Sequence, residues 1–418
     1  MNSPASRDAL RCRLRRLGLV RGFSQLPPSP RRAVAIESLV AGRFHATPYG
    51  QCFVAERRFS LDHAHGSTAL GLFLGLSPAT LAAIAQAPEL KGIDLFQAVF
   101  LDTETTGLSA GSGTMAFLVG LGFFDGDAFC LHQAFLRDPG DERALVDWLE
   151  ELTPRFAAVV TFNGRCFDLP LLEARFVLAR RPFPLAAAPH LDLLGPARRL
   201  WRDHLHSCAL SSLERTVLGV QRDQADVPSG DIPRIYRDYL ATGDAREISR
   251  IFYHNQIDIL SMVTLAVRLG QAFGSPAADL HGAEHFALAR WYEETGGDVE
   301  GELRAALAAA LPLDLRLRAL RELASWLKRQ GRRAEALQWW QQLAIEDPWD
   351  TGAAVELAKT FEWHLDRPAL AAGWTRLALQ RASRRLPSPQ REHELAALRH
   401  RLARLQRRLD QSEEQQAR

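Results

Sequence analysis

The residues best suited to chemistry are two carboxylates at the end of an apolar run. Residues 96–101 are apolar except at Gln97, which is typical of a buried strand, and Asp102 and Glu104 follow directly. Side chains at positions i and i+2 of a strand lie on one face, so the two carboxylates converge and repel each other unless a cation neutralises them. Because hard oxygen ligands suit Mg²⁺ or Mn²⁺, the spacing predicts a divalent-metal site.

A further carboxylate follows the next buried strand. The predicted strand at 157–162 breaks at Asn163-Gly164, and Asp168 comes at the start of a helix predicted over 169–178. This position is on the loop side of the sheet, where α/β proteins bind ligands. The alternative role is that of the helix N-cap, which Asp fills well, and the two roles are compatible.

The last candidate carboxylate lies on a helix. Residues 251–265 have helical apolar spacing, which leaves His254 and Asp258 four residues apart and on one face. A divalent cation at such a site can activate a water molecule, and we expect His254 to accept the proton of that water, because a neutral imidazole accepts a proton near pH 7. Two alternatives stay open: His254 only orients water or a phosphate, or a metal-bound hydroxide needs no base.

The elements that position these residues predict an α/β domain. Strands are predicted at 96–101, 117–124 and 128–136, and Asp125-Gly126 between the last two is a strong hairpin signal. A helix at 142–152, the strand at 157–162 and the helix at 169–178 follow. This alternation of strands and helices is typical of an α/β fold.

Composition excludes several other classes. The chain has 418 residues, a length that predicts two folded units. Of these residues 47% are hydrophobic and 24% charged, which is typical of a soluble globular protein. We identify no apolar run of membrane-spanning length and no signal peptide, and the five widely spaced cysteines argue against a disulfide framework. We therefore expect a cytoplasmic protein that does not contact a membrane. The net charge of +2 gives no overall attraction for nucleic acid, so any basic surface is local.

The region after Gly270 is almost purely helical by composition. Two segments superimpose with a shift of 34 residues, the difference between 323 and 357: Leu323, Leu327, Trp340 and Leu343 fall on Leu357, Phe361, Trp374 and Leu377. This spacing resembles tetratricopeptide repeats. An ordinary helical bundle with accidental self-similarity is the alternative.

These patterns divide the chain into five parts. We predict a flexible basic arm at 1–32, a small strand-rich lead-in at 33–94 and the α/β domain at 95–270. Helical repeats are predicted at 280–380, and a charged terminal helix and tail at 388–418. We expect the tryptophans of the repeat region to pack in its core rather than to stack on bases.

Three ordered motifs resemble those of the DEDD superfamily of 3′-to-5′ exonucleases, which have the ribonuclease H-like fold. They are Phe100-Leu-Asp-Thr-Glu-Thr-Thr-Gly-Leu108, Thr161-Phe-Asn-Gly-Arg-Cys-Phe-Asp168 and Tyr253-His-Asn-Gln-Ile-Asp258. The wider run resembles the bacterial YprB-like ribonuclease H-like group, in which such a domain precedes tetratricopeptide repeats. The resemblance covers roughly residues 95–270 and implies a mixed sheet flanked by helices.

The resemblance also implies roles for single residues. Asp102 and Glu104 match the first motif of the superfamily, Asp168 the second and Asp258 the third. Three further residues are implied as substrate contacts: Thr105, Asn163 and Phe167. The third motif departs from the familiar patterns, which have either a Tyr at minus four or a His at minus five. Here Tyr253 is at minus five and His254 at minus four, so which of the two assists the water stays open.

The implied activity is a metal-dependent 3′-to-5′ exonuclease acting on single-stranded DNA or RNA. The four carboxylates would bind two divalent ions, Mg²⁺ or Mn²⁺, which activate water and stabilise the leaving oxygen of a phosphodiester. One alternative is an inactive nucleic-acid-binding scaffold whose repeats bind a protein partner, and another is an endonuclease. The complete set of carboxylates favours the enzyme, whereas the irregular third motif and the small net charge favour the scaffold slightly.

Overall fold

The computed structural model describes residues 33–107, 113–223, 225–274 and 280–416. These residues form two compact units whose segments alternate along the chain. The first unit contains 33–63, 96–188 and 221–261, and the second contains 64–95, 189–220 and the residues from 262 onward. The predicted basic arm at 1–32 lies outside the described residues. The linear domain boundaries predicted from the sequence stay predictions.

Within the described residues the strands, in chain order, are β1 (Gly42–Thr47), β2 (Gly50–Ser60), β3 (Ala64–His65), β4 (Thr68–Ala69), β5 (Ala98–Thr105), β6 (Ala116–Asp125), β7 (Ala128–Phe135), β8 (Ala158–Thr161) and β9 (His190–Asp192). Six of the strands in the mixed sheet lie in the first unit, in the order β1-β2-β7-β6-β5-β8. Neighbours are antiparallel except β5 and β8, which are parallel. Thus β1 and β2, from the predicted lead-in, extend the sheet.

The centre of this sheet has the pairing that the sequence predicts. Strands β5, β6 and β7 are consecutive antiparallel neighbours, and a two-residue turn joins β6 to β7, with Asp125 opposite Ala128. Gly126 in that turn has a φ of +61°, a left-handed conformation that glycine adopts without strain. The predicted Asp-Gly hairpin is therefore confirmed.

The α-helices of the first unit cover the sheet. They are Glu142–Leu152, Asp168–Leu178, Ile232–Thr242 and the part of Arg246–Gly274 up to Ser261. Their apolar sides, represented by Trp148, Phe176 and Ile248, share one hydrophobic core with the strands. Each such side chain stabilises the fold by about 1.5–3 kcal/mol when fully buried. The predicted α/β domain is confirmed.

Glycines in β6 allow the helix Arg246–Gly274 to lie close to the sheet. A Cβ atom at Gly120 would be 2.2 Å from Oδ1 of Asn255 and 2.5 Å from Cδ1 of Ile259, and one at Gly122 would be 2.5 Å from Cγ2 of Ile259. Positions 120 and 122 lie on the same face of the strand. That face therefore has no side chains where the helix packs.

The same helix is long and apolar enough, by length and composition alone, to cross a membrane. Of its most apolar window, 72% is buried inside the protein. Core helices of soluble proteins also meet this criterion.

The described α-helices of the second unit are Pro78–Ala85, Leu194–Trp201, Leu210–Leu213, Gly282–Thr295, Val299–Ala308, Leu313–Arg329, Arg333–Glu346, Gly352–Trp363, Pro368–Ser383 and Pro389–Gln416, together with the remainder of Arg246–Gly274. The predicted all-helical C-terminal region is confirmed, and its classification as tetratricopeptide repeats stays a prediction. Trp340 is buried as expected. The expectation of core packing is wrong for Trp349 and Trp363, which are 61% and 55% exposed because they lie at the ends of helices and in connections.

We expect Gly120→Ala to destabilise the first unit by about 1–3 kcal/mol, because the new methyl group forces Asn255 and Ile259 away from the sheet. Urea unfolding followed by circular dichroism measures this change. Gly230→Ala is the matched control, since a Cβ atom there meets nothing within 4 Å. Equal unfolding midpoints for both variants would show that the close approach at Gly120 is unimportant.

Candidate active site

Strand β5 presents the first two carboxylates. Asp102 is paired with Gly120 and Glu104 with Leu118 on β6, and the register shifts between Glu104 and Thr105. Glu104 is only 8% exposed, and Asp102 is partly exposed. The two side chains share a face of the strand, as the spacing predicts.

Burial is the main reason that the pKa values of both carboxyl groups are well above their ordinary range. For Asp102 the charges of Asp258 and then Asp168 raise the pKa further, and for Glu104 the charges of Asp102, Asp258 and Asp168 do so. Arg222 opposes the rise at both groups. The four predicted carboxylates are thus close enough to feel one another's charge.

The turn before Asp168 brings that side chain under β5. Asn163 has a φ of +69°, and the backbone N–H of Gly164 donates to Oγ1 of Thr161 over 3.1 Å. A Cβ atom at Gly164 would lie 2.5 Å from Cβ of Thr161, so the tight turn requires glycine. The turn at Asn163-Gly164, where the sequence predicts the end of the strand, therefore positions Asp168.

Asp168 itself is 5% exposed and accepts two hydrogen bonds from Thr103. The backbone N–H of Thr103 donates to Oδ1 over 3.1 Å, and the hydroxyl group of Thr103 donates to the same oxygen over 2.5 Å. The alternative N-cap role of Asp168 is wrong, because Phe167 occupies the cap position. Asp168 is instead the first helical residue and points toward β5.

The helix Arg246–Gly274 contributes Asp258, His254 and Asn255. Nε2 of His254 lies 3.6 Å from Oδ2 of Asp258, so the predicted four-residue spacing does bring the two side chains together. Nδ2 of Asn255 donates to Oδ2 of Asp102 over 2.7 Å, and Nε2 of Gln133 donates to Oδ1 of Asn255 over 2.8 Å. A buried amide pair therefore orients the Asp102 carboxylate.

His254 is 6% exposed and has an acidic partner that sequence reasoning missed. Its Nδ1 lies 2.7 Å from Oδ1 of Asp226, while its Nε2 lies 3.4 Å from Oγ of Ser229. Because a carboxylate only accepts hydrogen bonds, the contact with Asp226 favours a proton on Nδ1, whereas the Nη1 donor of Arg222, 3.1 Å from the same nitrogen, favours a lone pair there. Nε2 is the ring nitrogen nearer to Asp258.

Tyr253 has a different position. Its hydroxyl oxygen accepts a hydrogen bond from the backbone N–H of Asp223 over 3.3 Å. The side chain therefore holds the segment that carries Arg222 and Asp226. Because Tyr and His stand in reversed order in the third motif, it is His254, four residues before Asp258, that lies beside Asp258.

Arg222 is the second residue that the sequence did not reveal. Its Nη2 donates to Oδ1 of Asp258, and its Nη1 lies 3.1 Å from Nδ1 of His254. Arg222 and Asp226 lie outside any periodic pattern, so no sequence signal identified them. Asn255 was detectable, because it lies three residues before Asp258 on the same helical face.

The predicted substrate contacts occupy two places. Thr105 lies at the end of β5, where its hydroxyl group donates to the carbonyl oxygen of Gly107 over 2.6 Å. Asn163 is exposed and Phe167 is half-buried, both in the turn that leads to Asp168. Their contact with a substrate stays a prediction.

The donor set fits a divalent cation in its chemistry. Asp102, Glu104, Asp168 and Asp258 offer hard oxygen ligands, and the raised pKa values of Asp102 and Glu104 show a cluster that a cation would stabilise. In the described parts of the chain, no group of three His, Cys, Asp or Glu side chains is arranged to hold a metal ion. Arg222 engages Asp258 instead.

Comparison with known proteins agrees with this geometry. Residues 99–270 match the family model described as RNase_H superfamily. The uncharacterized protein YprB of Bacillus subtilis (strain 168) is 29% identical over 320 residues, which are 74% of this chain and 76% of that protein. The mixed sheet with its flanking helices is thus ribonuclease H-like, which indicates nuclease-type activity and a nucleic-acid ligand.

We expect Glu104→Gln to raise the free energy of unfolding near pH 7 in the presence of EDTA. The folded-state pKa of Glu104 is raised, so the stability that its neutral form contributes is complete below the unfolded pKa of about 4.3 and is lost as the pH rises through the folded pKa. Between about pH 4 and 8, the melting temperature of the wild type should fall more steeply with rising pH than that of Glu104→Gln. Each kcal/mol of repulsion removed by the substitution should raise the melting temperature by about 2–4 °C.

Glu173→Gln is the control for this measurement, because Glu173 is an exposed residue of the helix Asp168–Leu178. Its unfolding profile should follow that of the wild type. Identical profiles for Glu104→Gln and the wild type at every pH would contradict the repulsion inferred at the cluster.

Proposed function

We propose that the first unit is a divalent-metal-dependent nuclease that hydrolyses phosphodiester bonds of single-stranded DNA or RNA from the 3′ end. The observation that carries the proposal is the convergence of carboxylates from three distant segments in a ribonuclease H-like fold. Burial and, after it, mutual repulsion raise the pKa values of Asp102 and Glu104, so a bound cation would stabilise their ionised forms.

The direction of cleavage rests on the three ordered motifs. Their carboxylates lie at the end of β5, at the start of the helix Asp168–Leu178 and on the helix Arg246–Gly274. The resemblance of these motifs to the DEDD exonucleases supports attack on the terminal phosphodiester.

Asp102, Glu104, Asp168 and Asp258 would hold the ions, which we propose to be Mg²⁺ or Mn²⁺. When bound, such ions lower the pKa of water and stabilise charge on the leaving oxygen. The residues around the carboxylates keep them oriented. Asn255 fixes the carboxylate of Asp102, and Thr103 fixes that of Asp168.

His254 is suited to accept the proton of the attacking water. In the tautomer with its proton on Nδ1, His254 has a lone pair on Nε2 beside Asp258, and Asp226 would accept from Nδ1–H and stabilise the imidazolium that forms. As the water oxygen bonds to phosphorus, the water proton moves to Nε2, and the bond from phosphorus to the 3′ oxygen breaks. The 3′ oxygen leaves with that electron pair and takes a proton from solvent water. The products are a 5′-phosphate and a free 3′-hydroxyl group.

One observation favours a second candidate, a nucleic-acid-binding scaffold without cleavage. Arg222 already pairs with Asp258, so a cation is present in the cluster without any metal. In this scaffold the helices of the second unit would carry the function by binding a protein partner. The two candidates differ in whether phosphodiester bonds are broken.

We expect the purified protein to shorten 5′-labelled single-stranded DNA or RNA progressively from the 3′ end with Mg²⁺ or Mn²⁺. Asp102→Asn should reduce the rate by about 1,000-fold, or about 4 kcal/mol of transition-state stabilisation, because it removes a charged ligand. Asp238→Asn is the control, since that side chain is 65% exposed on the helix Ile232–Thr242.

The labelled products separate the alternatives. Internal fragments in place of a descending ladder would indicate an endonuclease. An absence of cleavage with either metal, in protein that binds the same strand, would favour the scaffold. Undiminished cleavage by Asp102→Asn would contradict the proposed site.

A second variant tests the proton acceptor. His254→Gln should lower kcat by about 10²–10⁴-fold and leave KM close to the wild-type value, because the imidazole acts in the chemical step. Steady-state kinetics on the preferred substrate measures both parameters. A kcat within threefold of the wild-type value would show that His254 is not the base.

A further inference from the structure

Arg222 lies within the carboxylate cluster although no regular element carries it. The described residues between 221 and 228 form no helix or strand. The Arg222 side chain is 12% exposed, its Nη2 pairs with Oδ1 of Asp258, and its Nη1 lies 3.5 Å from Oδ1 of Asp226. One guanidinium group therefore contacts acids from both the helix and the segment that carries it.

The charge of Arg222 extends beyond these contacts. It opposes the rise in the pKa values of Asp102 and Glu104 on β5. A guanidinium group stays protonated throughout the physiological range, so this positive charge is permanent. Arg222 is thus a fixed cation that partly neutralises the same carboxylates that a metal ion would neutralise.

The segment around Arg222 is fastened independently of Asp258. Nη2 and Nε of Arg250 donate to the carbonyl oxygens of Asp226 and Ala225 over 2.7 and 3.1 Å, and Tyr253 accepts from the backbone of Asp223. Because these backbone contacts fix the segment, little conformational entropy is lost when the guanidinium group reaches Asp258.

We propose that Arg222 is a built-in counter-ion that competes with a divalent cation for the carboxylate of Asp258. The inference rests on the divalent-metal site of the proposed function. A cation bound by Asp258 would share that carboxylate with the guanidinium group and bring two further positive charges near it. Arg222 therefore sets the metal affinity of the site below that of the carboxylates alone.

The test is calorimetric titration of Mn²⁺ alone into the full chain without nucleic acid. Arg222→Gln should bind Mn²⁺ about tenfold more tightly than the wild type, which corresponds to about 1.4 kcal/mol. Arg234→Gln is the matched control in the same unit, because Arg234 forms exposed ion pairs with Asp231 and Asp238. Its affinity for Mn²⁺ should equal that of the wild type.

Arg222→Lys provides a second variant, since removing the charge beside several acids can prevent folding. Lysine keeps the charge but lacks the forked donor, so we expect about threefold tighter binding of Mn²⁺ than in the wild type. Circular dichroism establishes whether each variant is folded.

Unchanged or weaker Mn²⁺ binding by a folded Arg222→Gln, or by Arg222→Lys where only that variant folds, would overturn the proposal. An absence of Mn²⁺ binding in the wild type and both variants would overturn it together with the metal site. Tighter binding by the variants without any nucleic-acid cleavage would support the counter-ion and contradict only the proposed nuclease.

Discussion

Repulsion among buried carboxylates is the constraint on which the rest of the first unit depends. Charged groups removed from water cost free energy unless they are paired or hydrogen-bonded, and here acids from three distant segments share one region. Neutral hydrogen-bond donors stabilise Asp102 and Asp168, and a guanidinium group pairs with Asp258. Each compensating group comes from a different element, so the cluster exists only in the folded chain.

The approach of a helix to the sheet is the geometric basis of this arrangement. Gly120 and Gly122 remove side chains from one face of β6, which lets Asn255 reach the carboxylate of Asp102 and lets Ile259 pack on the strand. Gln133 on β7 holds the other end of the Asn255 amide. The absence of side chains at these two glycines of β6 thus allows the packing that orients the carboxylate of Asp102 on the neighbouring strand β5.

Periodicity explains which parts of this arrangement the sequence predicts. Alternation along a strand places Asp102 and Glu104 on one face, helical spacing pairs His254 with Asp258, and Asp125-Gly126 marks the hairpin. Periodicity does not report which irregular segment reaches a site, so Arg222 and Asp226 were missed. Asp168 is the first helical residue rather than the N-cap, and its contact with Thr103, 65 residues away, is one that no local pattern encodes.

The central claim is that the four carboxylates bind divalent cations that support phosphodiester hydrolysis. Anomalous diffraction at the manganese absorption edge, from crystals of this protein grown with Mn²⁺, tests it most directly. The account predicts anomalous density within coordination distance of Asp102 and of at least two of Glu104, Asp168 and Asp258. Anomalous density absent from this cluster, at a Mn²⁺ concentration that supports cleavage, would contradict it.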